Sequence, residues 1–161
     1  MRKLLFVLVT AFLFAGTTMA QLPIQKNNFF VNANLSDCNI SFGNFTTITI
    51  GVYGGTFIED RVAITGGLDL YSIDSYNYFN FAAGVRLYFA EKESGSFFAT
   101  GLLDIRKSKY SDAVIGLRFN GGHAFFLNQS VALEPMATLW LPFSKGYDMT
   151  LSLGAGFSVY F

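Results

Sequence analysis

Met149-Thr150-Leu151-Ser152-Leu153-Gly154-Ala155-Gly156-Phe157-Ser158-Val159-Tyr160-Phe161 reads with a period of two. One alternate set is Met149, Leu151, Leu153, Ala155, Phe157, Val159 and Phe161, apolar throughout. The other is Thr150, Ser152, Gly154, Gly156, Ser158 and Tyr160, small or polar. A helix would mix the two sets on every face, whereas a strand sends them to opposite sides.

The same alternation recurs upstream. Phe79, Phe81, Ala83, Val85, Leu87 and Phe89 share one parity, and Asn80, Ala82, Gly84, Arg86 and Tyr88 the other. Residues 62–71, 113–122 and 131–141 read alike, and weaker runs occupy 29–35, 46–54 and 97–105. The expectation is eight strands, most of them about 9–13 residues, a length that suits a tilted bilayer crossing. Turn-like separators fall into two alternating sets: 58–61, 91–95 and 127–130, then 36–43, 73–77, 107–111 and 142–147. An even strand count places both termini at one end. A faint repeat links Phe57-Ile58-Glu59-Asp60-Arg61-Val62-Ala63-Ile64 to Phe126-Leu127-Asn128-Gln129-Ser130-Val131-Ala132-Leu133, as one hairpin unit used twice.

The start of the chain has a different texture. Arg2 and Lys3 precede an apolar run from Leu4 to Ala15 broken only by Thr10, and Thr18-Met19-Ala20 supplies small residues before Gln21. This is the layout of a secretory signal peptide, residues 1–20, cleaved near Ala20. The run is too short to span a bilayer as a helix. The expected mature domain is residues 21–161, with nine basic residues against eleven acidic ones once Arg2 and Lys3 are removed. That balance argues against a nucleic-acid partner, which needs a basic patch. The single cysteine, Cys38, excludes an intramolecular disulfide framework and a cysteine-built metal site.

Alternation alone fits a soluble barrel as well as a membrane one, and the charges decide between them. Beyond the leader, lysine occurs at 26, 92, 107, 109 and 145, all in expected termini, turns or loops. The apolar parity carries no charge within any expected strand. The polar parity carries Asp69, Asp104 and Glu134 balanced by Arg86, Arg106 and Arg118. Small residues with matched charges suit the filled interior of a narrow barrel, where buried charge must be paired. The fold expected is therefore all-β: an eight-stranded antiparallel up-and-down transmembrane β-barrel with its apolar face outward. The six charges read best as a lumen network that fixes the interior, and less well as a gated polar path. Arg118 and Glu134 pair directly if the intervening turn is centred near residue 126, and not if it is centred near 128. Two aromatic girdles are expected: Phe29, Phe57, Phe89, Phe97, Phe126 and Phe161 at the terminal end, with Phe45, Tyr78, Phe79, Trp140, Phe143 and Tyr147 at the other. Pro135, inside the seventh strand, predicts a bulge or a local break in the ladder.

With this leader, this strand pattern and the ending Phe157-Ser158-Val159-Tyr160-Phe161, the chain resembles the OmpA/OmpX-like superfamily of small outer-membrane β-barrels. The resemblance covers the whole mature chain and is most specific in the final strand. It implies a Gram-negative outer-membrane location, contact with outer-membrane lipid, and recognition of Phe157, Val159 and Phe161 by the barrel-assembly machinery. A monomer is expected.

Catalytic chemistry finds little support. His123 is the only histidine. His123-Ala124-Phe125 lacks the His-x-Ser pattern of the lipid-modifying barrels, and the parity of His123 points it outward. Gly154-Ala155-Gly156 lacks the third glycine and the helix of a nucleotide loop. No enzyme activity and no cofactor are expected, and Cys38 reads as an incidental thiol in an external loop. The leading expectation is an integral outer-membrane protein with a structural or surface-interaction role. A small solute pore and a soluble periplasmic ligand-binding barrel stay open as alternatives.

Overall fold

The computed structural model describes residues 23–40, 46–73, 76–92, 95–108 and 112–161. The expected leader, residues 1–20, therefore lies outside the described residues. Eight strands follow in chain order: β1 (Phe29–Ile40), β2 (Thr46–Glu59), β3 (Val62–Ile73), β4 (Tyr76–Lys92), β5 (Gly95–Ser108), β6 (Val114–Asn128), β7 (Val131–Pro142) and β8 (Thr150–Tyr160). Each pairs antiparallel with its sequence neighbour, and β8 closes on β1 through Phe30↔Tyr160 to Ser36↔Gly154. The result is a closed up-and-down barrel, the fold that the period of two predicts. No helix among the described residues is long and apolar enough to cross a membrane.

The alternation resolves into two faces. Val31, Ile50, Val52, Leu68, Leu70, Phe79, Phe81, Leu103, Leu151 and Leu153 are exposed on the outside. Asn32, Asn34, Asp69, Asn80, Arg86, Asp104, Arg118 and Glu134 are buried inside. This inverts the distribution of a water-soluble barrel, whose apolar parity fills the interior.

The strands outrun their expected lengths, reaching 17 residues in β4 and 15 in β6. These lengths exceed the roughly 9–11 tilted residues that a bilayer crossing takes. Two expectations change accordingly. Cys38 lies within β1 and not in a loop, beside the register shift between Ser36 and Asn39. Lys92 ends β4 and Lys107 lies near the end of β5, so both belong to strand extensions that can carry charge.

The repeated hairpin unit has a structural counterpart. β2–β3 and β6–β7 turn through two residues each, and both ladders shift register just before the turn, at Phe57/Glu59 and Phe126/Asn128. In both copies the phenylalanine points inward and the next residue, Ile58 or Leu127, points out. Its ladder partner is a fully buried alanine, Ala63 or Ala132, small enough to leave room for the ring.

Phe57 and Phe126 are therefore not girdle residues. With Phe30, Tyr88, Phe98 and Tyr160 they form an aromatic floor that fills the terminal end of the lumen. Ring centroids lie 5.4 Å apart for Phe126 and Tyr160 and 5.7 Å for Phe57 and Tyr88. Such spacings suit offset or tilted aromatic pairs. Trp140 is also interior, because it shares the inward parity of Glu134 and Thr138. Phe29, Phe89, Phe97 and Phe161 do face outward at the terminal end, and Phe79, Phe143 and Tyr147 are exposed at the other. Phe45 and the side chain of Tyr78 lie outside the described residues.

Residues 23–28 form a strap across the floor. Ile24 is 3% exposed and packs into the aromatic cluster. Its carbonyl accepts from Arg61 N at 2.9 Å, and Asn27 N donates to Phe57 O at 2.9 Å. Lys26 Nζ meets Glu59 at 2.8 Å, and that hydrogen bond and charge raise the lysine above its ordinary pKa.

Pro135 does not make a bulge. The β6–β7 ladder runs to Gly122↔Met136 and resumes at Phe125↔Leu133 in unchanged register, while Pro135 pairs normally with Ala155 of β8. Proline has no N–H to complete the exchange with His123 opposite, so the ladder skips there.

Candidate functional site in the barrel lumen

The six charged residues singled out in the sequence all face the interior, brought there by strand parity. The register gathers them into two groups. The outer group is built on Asp69 of β3, Asp104 of β5 and Arg118 of β6. Arg118 Nη1 donates to Asp69 Oδ2 at 2.7 Å, and its Nη2 pairs with Asp104 Oδ2. Asn80 Nδ2 bridges the same two carboxylates at 2.7 and 2.9 Å. Tyr53 donates to Asp69 at 2.6 Å and accepts from Arg118. Arg106 Nε reaches Asp104 Oδ1 at 3.1 Å, and its guanidinium lies 3.7 Å from the Trp140 ring centroid, within cation–π range.

The inner group is Arg86 of β4 with Glu134 of β7, joined across the lumen at 2.6 Å. Asn32 Nδ2 donates to Glu134 at 3.1 Å and to Ser158 Oγ at 2.6 Å. Tyr160 donates to the second carboxylate oxygen at 2.7 Å, which leaves Tyr88 to donate to Tyr160 at 2.9 Å. The Arg86 guanidinium sits 3.8 Å from the Phe98 centroid and 4.9 Å from that of Tyr88. Arg86 thus joins the polar lumen to the aromatic floor.

The turn between β6 and β7 is centred beyond residue 128, and Arg118 stands opposite Trp140. Arg118 and Glu134 therefore do not pair; each finds its partners elsewhere. Asn32, Tyr53, Asn80, Tyr88, Ser158 and Tyr160 complete the two groups and were not singled out from the sequence. Their inward parity was the available signal. The pairing of β4 with β7 across the lumen has no counterpart in neighbouring-strand reading.

Gly51 is required by this arrangement. It faces Asp69 in the ladder, and a Cβ built there would lie 2.1 Å from Asp69 Oδ1. Only a residue without a side chain lets the carboxylate lie against β2.

Of the remaining candidates, His123 lies on the outer side. It makes an edge contact with Phe97, centroids 4.6 Å apart, and packs against Phe125 at 4.2 Å. These are ring neighbours and not the carboxylate or hydroxyl partners of a catalytic histidine. Phe161 stacks on Phe29 at 4.9 Å at the seam where the barrel closes. Phe157, Val159 and Phe161 share the outward parity of the terminal strand, with Phe161 just beyond the end of β8.

No protein-family profile and no curated sequence matches this chain. Solved structures do match in shape. The N-terminal β-barrel domain of Pseudomonas aeruginosa OprF superposes with a TM-score of 0.69 at 12% identity, covering 84% of this chain and 98% of that one. Neisserial surface protein A gives a TM-score of 0.62 at 14% identity, covering 83% and 95%. A de novo designed transmembrane β-barrel gives 0.59 at 6% identity, covering 85% and 98%. The chain has the fold of the small eight-stranded outer-membrane barrels. That a designed barrel aligns alongside the natural ones shows that the likeness reports architecture and not activity.

Proposed function

We propose that this protein is an integral outer-membrane β-barrel without enzymatic activity, serving as a structural element or as a carrier of short external segments at the cell surface. The observation that carries the reading is the inverted barrel: an apolar exterior around an interior of mutually neutralised charges. Three acidic residues face three arginines in the lumen, and the aromatic floor with its strap fills the terminal end. A bilayer is the surroundings in which such an exterior is stable, because each strand is paired around a closed ring. Natural neighbours in shape include the outer membrane proteins Ail of Yersinia pestis and OprG of Pseudomonas aeruginosa, which supports the same location. On this reading the leader is removed near Ala20, the termini face the periplasm, and the barrel inserts as a monomer through the assembly machinery.

The filled lumen speaks against the solute-pore alternative, since an eight-stranded interior is about filled by side chains. Membrane fractionation, with electrophoresis before and after boiling, tests location and fold together. The protein is expected in the outer-membrane fraction with a heat-dependent shift in mobility. Recovery in the soluble fraction would overturn the proposal. Purified protein in planar bilayers is expected to give no sustained openings, and reproducible unitary conductance would establish the pore in its place.

A further inference from the structure

A cavity of about 20 Å³ lies in the lumen, lined among others by Asn32, Asn34, Tyr53, Arg86, Asn120 and Met136. Three buried polar atoms of its lining residues have no hydrogen-bond partner among the described residues: Asn34 Oδ1, Asn120 Oδ1 and Arg86 Nε. Asn34 is 7% exposed and Arg86 5%, so bulk solvent does not serve them. The Glu134 carboxylate engages Arg86 through Nη2, leaving Nε for another acceptor.

The chemistry of the three atoms selects the occupant. A sodium ion would suit the two amide oxygens but would face a guanidinium. A chloride ion would suit the guanidinium but would face two oxygens. Either ion would also lose its hydration shell, since the space holds only a water or two. Water both accepts and donates, and three hydrogen bonds are typical of a buried water.

We propose that this cavity is a structural hydration site, in which a water molecule accepts from Arg86 Nε–H and donates to Asn34 Oδ1 and Asn120 Oδ1. The site borders the outer charge group at Tyr53 and the inner one at Arg86. It makes the polar interior continuous between the two. The aromatic floor lies on one side and the Arg118 group on the other, and three hydrogen bonds to buried groups hold the water longer than surface hydration. This inference is independent of where the barrel resides and of its role.

Water–amide Overhauser transfer on the folded, isotope-labelled protein in detergent micelles tests it. Cross-peaks to water with the sign of a rigidly held molecule are expected at amides of residues 33–35, 85–87 and 119–121. They are expected to be lost in Asn34→Leu and in Asn120→Leu, each checked for folding by its heat-dependent gel shift. The absence of such cross-peaks in the unsubstituted protein would overturn the proposal, whatever the variants do. So would their survival in both folded variants, or their loss only in Thr100→Val, which removes the hydroxyl of another residue lining the cavity and would assign them to hydroxyl exchange. Sodium or chloride titration that shifts the Arg86 Nε resonance would identify an ion and overturn it equally.

Discussion

Replacing Glu134 with leucine removes the only carboxylate paired with Arg86 among the described residues. The guanidinium then stays 5% exposed, 3.8 Å from the Phe98 ring centroid and 4.9 Å from that of Tyr88. Asn32 keeps its bond to Ser158, but the Tyr88–Tyr160 relay loses its terminal acceptor, so one buried O–H is left unpaired at about 1–3 kcal/mol. The larger part of the cost falls on the stranded charge. Breaking a buried pair from one side costs about 3–5 kcal/mol. The aromatic faces offset part of this, by about 0.5–2 kcal/mol, but they already do so in the intact protein. The expected loss for Glu134→Leu is therefore about 3–5 kcal/mol, and Arg86→Met is expected to lose a similar amount by leaving the carboxylate alone. The double variant carries no buried charge here, and replacing a whole pair by apolar residues is often neutral or stabilising, so its loss should be set by the one unpaired hydroxyl, about 1–3 kcal/mol. The coupling from the double-mutant cycle would then be about 3 kcal/mol or more, at or above the top of the usual range for neighbouring residues. Reversible urea unfolding in lipid vesicles measures it, followed by the fluorescence of Trp140, the only tryptophan and a buried one. If the single substitutions each cost under 1 kcal/mol, or the two add, the pair does not hold the lumen as described.

Three other substitutions probe other levels of the structure. Gly51→Ala places a methyl group 2.1 Å from Asp69 Oδ1 and should lower stability by about 1–3 kcal/mol through overpacking, measured by the same unfolding. Leu68→Arg, at an outward position 60% exposed near the middle of β3, should cost about 2–4 kcal/mol in lipid. A cost within about 0.5 kcal/mol, as at a water-facing surface, would mean that this face does not meet hydrocarbon. Phe161→Ala removes a ring that is 58% exposed, so it should leave the stability of folded protein nearly unchanged while lowering the fraction that reaches the membrane per molecule synthesised. Equal membrane levels in pulse-labelled cells would remove the assembly role of this residue.

The barrel was legible because its determinants are local. Strand parity depends on adjacent residues, and each turn joins strands that are neighbours in both sequence and space. Parity alone sent Asp69, Arg86, Asp104, Arg118 and Glu134 inward. The boundaries are less legible, since nothing local in the alternation stops a strand; Cys38 and Lys107 lie within β1 and β5 for that reason. The girdle assignment of Phe57, Phe126 and Trp140 failed differently. Their positions near strand ends suit a girdle, but their parity turns them inward.

The site was only half legible. Which residues face the lumen follows from a period of two, but which of them meet depends on the stagger accumulated around the ring. Arg86 and Glu134 lie on β4 and β7, and their 2.6 Å contact integrates three registers, one of them interrupted at Pro135 and shifted at Phe126/Asn128. A one-residue error in any of them would turn a side chain to the lipid. The same stagger places Arg118 between two acids and leaves Arg86 with one, so a single expected network becomes two groups with different surroundings. The outer group shares its charge among Asp69, Asp104, Asn80 and Tyr53. The inner pair rests on the aromatic floor beside the cavity. Removing one partner of the inner pair should therefore be felt as a stranded charge, whereas a single loss in the outer group can be redistributed among the partners that remain.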